Sequence, residues 1–585
     1  MLPTHARVRP RIHVDLESAL PPTRNSFIGR PLLRWLTWGV VGVVVFWMLG
    51  PFVFDLTSAP LHPPHRHNHP KPHRPPWVHQ RPPPRPPAQD AQPGDHPTLW
   101  ATRALKVREA FVHAYDGYRK HAMPYDELSP VSGQKVNNFN GWGVTVFDSL
   151  DTMWIMGLHD TFNDALELVA KSKFINKFDQ SSPFFETVIR YLGGLLSAYA
   201  LSGEPVLLAR ADDLGTMLLP AFNTTSGLPM YAVNTVTGQT RPGWSGSVLW
   251  AEALTNQLEY KYLAHVTGRP EYYECTERIM RLMYNAKLPD DSFPTMWNME
   301  TGLPSNQHFS VGAYADSAHE YLLKQWLLTA QSEPKTRDLY LRSVNAIIKN
   351  LLFITPTRHL LYVTDTHNGA ATHTLEHLSC FLPGLLALGV HTLQLPPADR
   401  ELHAWAAEGL ARTCWATYAD MQSGLGGDEL AMDVIGWAKE GDRAARWTKH
   451  VAEWETAGRP GKGPPGTGDL EPEMRVEERE YKLQKTAYLL RPETIESFYL
   501  LWRTTGNEVW RERGWSIFEA IEKHARTPYG YASVLNVDSL PVAQKDEMPR
   551  FAFPLLLIDW VFNTEAHPLP VFEWRGWEKE KYGIP

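Results

Sequence analysis

An all-α toroid of helical hairpins, preceded by a transmembrane helix and a disordered stem, is the fold class this sequence predicts. Three observations carry that expectation. Beyond Thr98 apolar residues recur at helical spacing, as in the stripe Val188, Ile189, Leu192, Leu195, Leu196 and Tyr199, whereas strand-like alternation is scarce. Helix ends recur as a small residue plus Gly and a short turn, in Ala200-Leu201-Ser202-Gly203-Glu204-Pro205, His265-Val266-Thr267-Gly268-Arg269-Pro270 and Arg503-Thr504-Thr505-Gly506-Asn507. A fourth copy, Leu328 to Pro334, keeps the rhythm without the Gly. Lastly, Glu186, Asp316 and Glu493 each stand near the head of a strongly apolar helical stretch. Acids beside such faces are costly to desolvate. Spread so widely along the chain, they can share one cleft only if the hairpins curl into a ring, and an open solenoid would leave them apart.

Residues 1–34 read as a cytosolic tail, with Arg7, Arg9, Arg11, Arg24, Arg30 and Arg34 against Asp15 and Glu17. Residues 35–54, Trp35 to Phe54, are an uncharged run long enough to cross a bilayer, and the arginines ahead of it predict an amino terminus left in the cytosol. The run is longer than a signal-peptide core and lacks a small-residue cleavage site. Residues 55–97 are rich in Pro, His and Arg and poor in aliphatic residues, so an extended stem is expected. Residues 98–585 form the globular domain, in which Ala457–Asp469 reads as a flexible surface loop.

The chain has 57 Lys+Arg against 64 Asp+Glu and a net charge of -7, which argues against nucleic acid as a partner. Its 22 Trp, 22 Tyr and 23 Phe supply ring faces that suit both a core and sugar binding. Three cysteines, Cys275, Cys380 and Cys414, allow one disulfide and one free thiol in an oxidising lumen, and the residues alone do not choose the pair. Asn223-Thr224-Thr225 is an N-glycosylation acceptor motif.

Acid pairs facing a cleft are what glycosidic bond cleavage requires. Glu186 and Arg190 share a helix face at (i, i+4), either as a surface pair or as an acid oriented by an arginine. Asp316 and Glu320 share a face likewise, while Glu493 and Glu496 follow Pro492 at the positive end of a helix dipole. Asp148 and Asp151 precede an apolar stretch and read as helix N-caps. Asn563-Thr564-Glu565-Ala566-His567 gathers oxygen-rich groups of the kind that suit a hard cation such as calcium.

Taken together, FDSLDTMWIMGL (147–158), FETVIRYLGGLLSAY (185–199), ADSAHEYLLKQW (315–326), LSCFLPGLLALG (378–389), LRPETIES (490–497) and VFNTEAHPL (561–569) resemble the class I α-mannosidases, glycoside hydrolase family 47, in the family's own order. The resemblance implies an (α/α)7 barrel that binds one Ca2+ and trims terminal α-1,2-linked mannose from high-mannose N-glycans with inversion. It implies a single-pass type II membrane protein of the endoplasmic reticulum or Golgi, acting as a monomer with a lumenal catalytic domain. Carried over position by position, it makes Glu186 the general acid, Asp316 and Glu493 the candidates for activating water, and Thr564 the calcium ligand. Arg190, Glu252, His377, Glu496, Phe551 and Glu565 match sugar-contacting or ion-shell positions, and Cys380 and Cys414 match the family's disulfide, leaving Cys275 free.

Two departures stand out. Tyr314 occupies the place, two before Asp316, where the family has Arg or Leu, so branch specificity is left open. Asp546-Glu547-Met548-Pro549-Arg550-Phe551-Ala552-Phe553-Pro554 passes directly to Leu555-Leu556-Leu557-Ile558, where the family inserts a helix bearing Leu-Ala-Glu-Thr-Leu-Lys-Tyr. One barrel helix and one carboxylate are therefore expected to be absent, with a cost in stability and activity. The alternatives are a lectin-like relative that recognises mannose-trimmed glycans in glycoprotein degradation, and an α/α scaffold presenting an interaction surface. The retained acids and the Cys380/Cys414 pair favour the enzyme.

Overall fold

The computed structural model describes residues 97–435, 438–548 and 560–585. The tail, the 35–54 segment, nearly all of the stem, Phe551 and the rest of 549–559 lie outside the described residues. Among the described residues no helix is long and apolar enough to cross a membrane.

After α1 (Pro97–His121), helices come in pairs. These are α2 (Val144–Ile155) with α3 (His159–Lys171), α4 with α5 (Pro205–Leu218), and α6 (Gln257–Thr267) with α7 (Pro270–Asn285). They continue as α8 (Asp316–Leu328) with α9 (Pro334–Asn350), α10 (Leu382–Thr392) with α11 (Pro397–Ala419), and α12 (Glu493–Thr505) with α13 (Val509–His524). Helix α4 is composite: Phe184–Glu186, a π-helical turn Thr187–Leu192 and Gly193–Ser202 run on without a break. The four hairpin turns expected from the sequence fall at the α4/α5, α6/α7, α8/α9 and α12/α13 junctions. Gly203, Gly268 and Gly506 close their helices at φ 74°, 72° and 71°, a left-handed cap that costs glycine nothing. Ala330 and Gln331 take up positive φ in the copy that lost its glycine.

The first helix of each pair is the more deeply buried. Residues 193–200 of α4, 257–264 of α6 and 317–326 of α8 are buried on every side, whereas α3 buries only Phe162, Ala165 and Val169 along one stripe. Internal helices stand side by side in chain order, α2 against α4, α6 against α8, α10 against α12. The two ends of the domain meet: Arg103 of α1 donates to both carboxylate oxygens of Glu512 on α13 (2.8 and 2.9 Å), and His113 bonds the Thr527 carbonyl at 2.9 Å. Closure, inferred above from the scattered acids, is thus held by contacts between the first and last hairpin elements.

The cleft rim carries short antiparallel strands that helical periodicity did not announce, including β1 (Thr374–Glu376), β2 (Glu429–Met432) and β3 (Tyr481–Lys485) in one sheet. A last hairpin, β4 (Trp560–Phe562) and β5 (Pro568–Pro570), packs against α8 and α4 and carries Asn563–His567 at its tip. The Ala457–Asp469 loop is pinned rather than loose: Trp454 and Trp447 donate their indole N–H groups to the carbonyls of Pro460 and Pro465, both at 2.8 Å. Cys380 and Cys414 form a disulfide between the turn before α10 and α11, and Cys275 is free.

Two glycines distinguish the inner layer from the outer. A Cβ at Gly194 on α4 would lie 2.4 Å from the Phe147 carbonyl oxygen on α2, while one at Gly514 on α13 would meet nothing within 4 Å. Gly194→Ala should therefore destabilise by about 1–3 kcal/mol through forced helix separation. Gly514→Ala should stabilise by up to about 1 kcal/mol through helix propensity. Denaturant midpoints of the two variants, moving in opposite directions, check the assignment of inner and outer helices.

Candidate active site

Arg190 ties three segments together. It lies in the π turn of α4, four residues after Glu186, and is almost fully buried. Its Nε donates to Glu186 Oε2 at 2.8 Å, and its Nη1 donates to Glu565 Oε2 at 2.9 Å and to Asp148 Oδ2 at 3.4 Å. Burial works against the guanidinium charge, but Glu565, Glu186 and Asp148 more than offset it and hold the pKa well above the ordinary arginine value. The surface-pair alternative for Glu186 and Arg190 is thereby excluded.

Asp148 and Asp151 are not N-caps. Helix α2 begins earlier, at Val144, and its first amides are satisfied by Asp126, whose Oδ1 accepts from Gly143 N at 2.8 Å and Val144 N at 3.3 Å. Both aspartates therefore fall inside the helix and turn inward. Asp151 Oδ2 lies 2.6 Å from His567 Nδ1, and Asp148 Oδ1 lies 3.5 Å from His567 Nε2. Burial disfavours a charged His567, yet Asp151 and Asp148 prevail and lift its pKa to about 10, so the ring is an imidazolium at neutral pH.

Glu252 sits in the short helix Trp250–Leu254, with Oε2 accepting from Trp244 Nε1 at 3.0 Å. Burial pushes its pKa up to about 6, and the charge of Glu186 adds to the rise. Asp316 and Glu493 are the first residues of α8 and α12. Asp316 Oδ1 accepts from Ser317 N at 2.6 Å, but burial outweighs this bond and Glu493 repels it, so its pKa rises to about 6. Glu493 Oε2 lies 3.6 Å from His377 Nδ1, and the other nitrogen of that ring is held by the Tyr418 hydroxyl.

Below this pair, Lys324 of α8 contacts Glu320 and, at 3.3 Å, Glu496. Burial opposes its charge, but the two carboxylates raise its pKa. The tip of the β4–β5 hairpin completes the cluster. Asn563 donates through Nδ2 to the Ile189 carbonyl (2.8 Å) and to Glu259 Oε1 (2.9 Å), and its Oδ1 accepts from the backbone of Glu565 and His567, both at 2.9 Å. Thr564 is placed beside Glu320 and beside Tyr321, whose hydroxyl accepts from Thr564 N at 3.4 Å. Glu259 is fully buried; its Oε2 has no hydrogen-bond partner among the described residues, and burial lifts its pKa to about 7. Glu320 and Glu496 share the Lys324 ammonium, while Glu259 is bonded only by the neutral donors of Tyr321 and Asn563 among the described residues, and this gathering of carboxylate oxygens fits a hard cation near Thr564.

The site residues anticipated from sequence thus form a linked set, running from Glu252 and Glu186 through Arg190, Glu565 and Thr564 to Glu320, Glu496, Glu493, His377 and Asp316. Phe551 lies outside the described residues. Sequence reading passed over Glu259, Lys324, Asp126 and Tyr418. Gln257-Leu258-Glu259-Tyr260-Lys261-Tyr262-Leu263-Ala264 mixes Gln, Glu and Lys with apolar residues and carries no local sign that Glu259 is buried.

Residues 110–571 match the model of glycosyl hydrolase family 47. The chain is 34% identical over 511 residues to an endoplasmic reticulum mannosyl-oligosaccharide 1,2-alpha-mannosidase of Homo sapiens, covering 84% of this chain and 67% of that one. It is 32% identical over 500 residues to mannosyl-oligosaccharide alpha-1,2-mannosidase IA of Drosophila melanogaster, covering 81% and 68%. The solved alpha-1,2-mannosidase from Trichoderma reesei superposes with a TM-score of 0.69 at 26% identity, over 81% of this chain and 99% of that one. Over four-fifths of its length, then, the protein is a glycoside hydrolase belonging to glycosyl hydrolase family 47.

Proposed function

We propose that the protein hydrolyses terminal α-1,2-linked mannose from high-mannose N-glycans, with inversion and with calcium at Thr564. The observation that carries this reading is the division of labour among the acids. One carboxylate, Glu186, is oriented by a buried arginine, and two others, Asp316 and Glu493, head α8 and α12 and lie close enough to repel each other. In this reading Glu186 gives its proton to the glycosidic oxygen as the C1–O bond breaks. Asp316 and Glu493 hold a water on the opposite face of the sugar and take its proton as the new C1–O bond forms. Glu252, His377, Glu496 and Glu565 orient sugar hydroxyls. Calcium, held by the Thr564 hydroxyl and carbonyl among Glu259, Glu320 and Glu496, would orient and polarise water and substrate. The six hairpins, with α1 as one arm of another, support a seven-hairpin barrel. Residues 35–54 would anchor it as a type II protein of the endoplasmic reticulum or Golgi with its domain in the lumen.

A second reading has its own support in the sequence. The direct passage from Met548 to Ile558, where the family has a further helix and carboxylate, favours a lectin-like protein that binds trimmed glycans without cleaving them. Mannose release from a high-mannose N-glycan, with and without a calcium chelator, separates the two. Chelator-sensitive release is expected; glycan binding by folded protein without release would overturn the hydrolase.

Glu186→Gln should lower kcat by about 10²–10⁴-fold while glycan binding persists, because an amide keeps the Arg190 contact but has no proton to give. Single-turnover release alongside a binding isotherm measures both. The pH profile of kcat/KM provides a second check. Asp316 acts as base only when ionised, so with its pKa raised to about 6 the rate should fall about tenfold per pH unit below that value. An acid limb near pH 4, the ordinary carboxylate range, would remove Asp316 from the role. Thr564→Ala should weaken calcium binding in calorimetry with little change in the thermal midpoint of the calcium-free protein.

A further inference from the structure

Near Tyr314, apart from the carboxylate cluster, two histidines and an aspartate converge. The strands His308–Phe309 and Thr366–His367 pair antiparallel, with His308 directly opposite His367. Asp365, two residues before His367, returns its side chain to the same face because strand side chains alternate. His308 Nε2 lies 3.0 Å from Asp365 Oδ2, and the two imidazoles stack with centroids 3.8 Å apart and planes 17° apart. Among the described residues these three offer one ligand atom each within 4.8 Å of one another. Closing that spacing onto an ion requires a rotamer change mainly at His367, which is exposed, whereas His308 and Asp365 are part-buried.

The support around His308 is of the kind a metal ligand needs. Its Nδ1 lies 3.2 Å from Thr295 Oγ1, and that oxygen accepts in turn from Asn306 Nδ2 at 2.8 Å. Either nitrogen of the neutral ring can hold the proton: on Nε2 it donates to Asp365 while Nδ1 accepts from the Thr295 hydroxyl, whereas a cation bound at Nε2 selects the other tautomer, in which Nδ1–H donates to Thr295. An outer hydrogen bond that fixes the ring and its tautomer is a regular accompaniment of metal-bound histidine.

We propose that His308, Asp365 and His367 bind a borderline divalent transition cation, zinc foremost. Two imidazole nitrogens and one carboxylate match a three-ligand tetrahedral zinc site whose fourth position holds water, whereas calcium takes six to eight oxygens and has no reason to choose it. The site therefore differs in chemistry from the oxygen-lined surroundings of Thr564. It also touches the cleft: the His308 ring stands 5.8 Å from that of Tyr314, edge to face, and Tyr314, two residues ahead of Asp316, accepts at its carbonyl from Ala251 N at 3.1 Å. An ion here clamps the rim strands next to the exposed Tyr314.

Calorimetric titration of the full chain with zinc, in a large excess of calcium, tests the proposal. One zinc per chain is expected, and His367→Ala and Asp365→Asn should each weaken it by at least about tenfold while leaving calcium binding and zinc-free mannose release unchanged. Substitution with cobalt(II) should give the intense visible bands of a tetrahedral nitrogen-containing site in the parent and lose them in His367→Ala. The proposal is overturned if calcium competes zinc away, if zinc binds His367→Ala as tightly as the parent, or if no zinc binds. Because none of these readouts except mannose release depends on hydrolysis, an inactive protein would leave the test intact.

Discussion

The buried guanidinium of Arg190 is the constraint on which the rest of the site depends. It sits between carboxylates from three distant segments: Glu186 on its own helix, Asp148 on α2 and Glu565 on the last hairpin. Each of those carboxylates would be expensive to bury alone, and together they would repel one another. One planar fork with several fixed donors satisfies them at once, a geometry that a lysine cannot reproduce. The net contribution of such a network to stability is small, because desolvation of four charges offsets their attraction, whereas removal of the arginine alone leaves three acids uncompensated. Its value lies in position: the rotamer of Glu186 is set by a group that cannot move without releasing the C-terminal hairpin.

The same hairpin is held from its other side. His567, kept as an imidazolium by Asp151 and Asp148, docks the tip against α2, and Asn563 satisfies four partners, two backbone amides of the hairpin, the Ile189 carbonyl and Glu259. Thr564 lies between these two anchors. Around it Glu320 and Glu496 share the Lys324 ammonium, whereas Glu259 is hydrogen-bonded by the neutral Tyr321 and Asn563 and the charge of His567 acts on it without a bond. A folded protein tolerates surplus buried negative charge only by protonating it or by holding a cation. The elevated pKa of Glu259 reports the first response, and it also indicates what a cation would relieve.

Much of the fold was legible in the sequence because hairpin boundaries are written in local chemistry. Gly203, Gly268 and Gly506 cap helices for a reason visible in any glycine after a periodic stretch, and Pro205, Pro270 and Pro334 open the next helix where a missing N–H costs nothing. The acids at helix heads were legible for the opposite reason, as residues that local preference does not require beside so apolar a face. What sequence could not supply was long-range satisfaction. Asp148 and Asp151 resemble caps in the sequence because the group that serves the start of α2, Asp126, belongs to another segment. The rim strands escaped notice because they are too short to show a period of two. The Gly- and Pro-rich loop reads as flexible from its own composition because the tryptophans that fix it, Trp447 and Trp454, lie in the helix before it.

The acids also show why a helical toroid suits this chemistry. A helix start offers unpaired amides and a positive dipole end, and both favour an ionised carboxylate. Asp316 takes the Ser317 amide in this way and still ends with its pKa raised to about 6, so desolvation by the surrounding inner helices is the larger influence. The two influences have different origins. The helix start fixes where the carboxylate is and which lone pairs remain free, while the ring of inner helices sets how much water reaches it. A site assembled at the heads of several inner helices can therefore vary the proton affinity of each acid through its packing without moving it, and Asp316, Glu252 and Glu259, with pKa values lifted by burial to about 6, 6 and 7, are three settings of the same device.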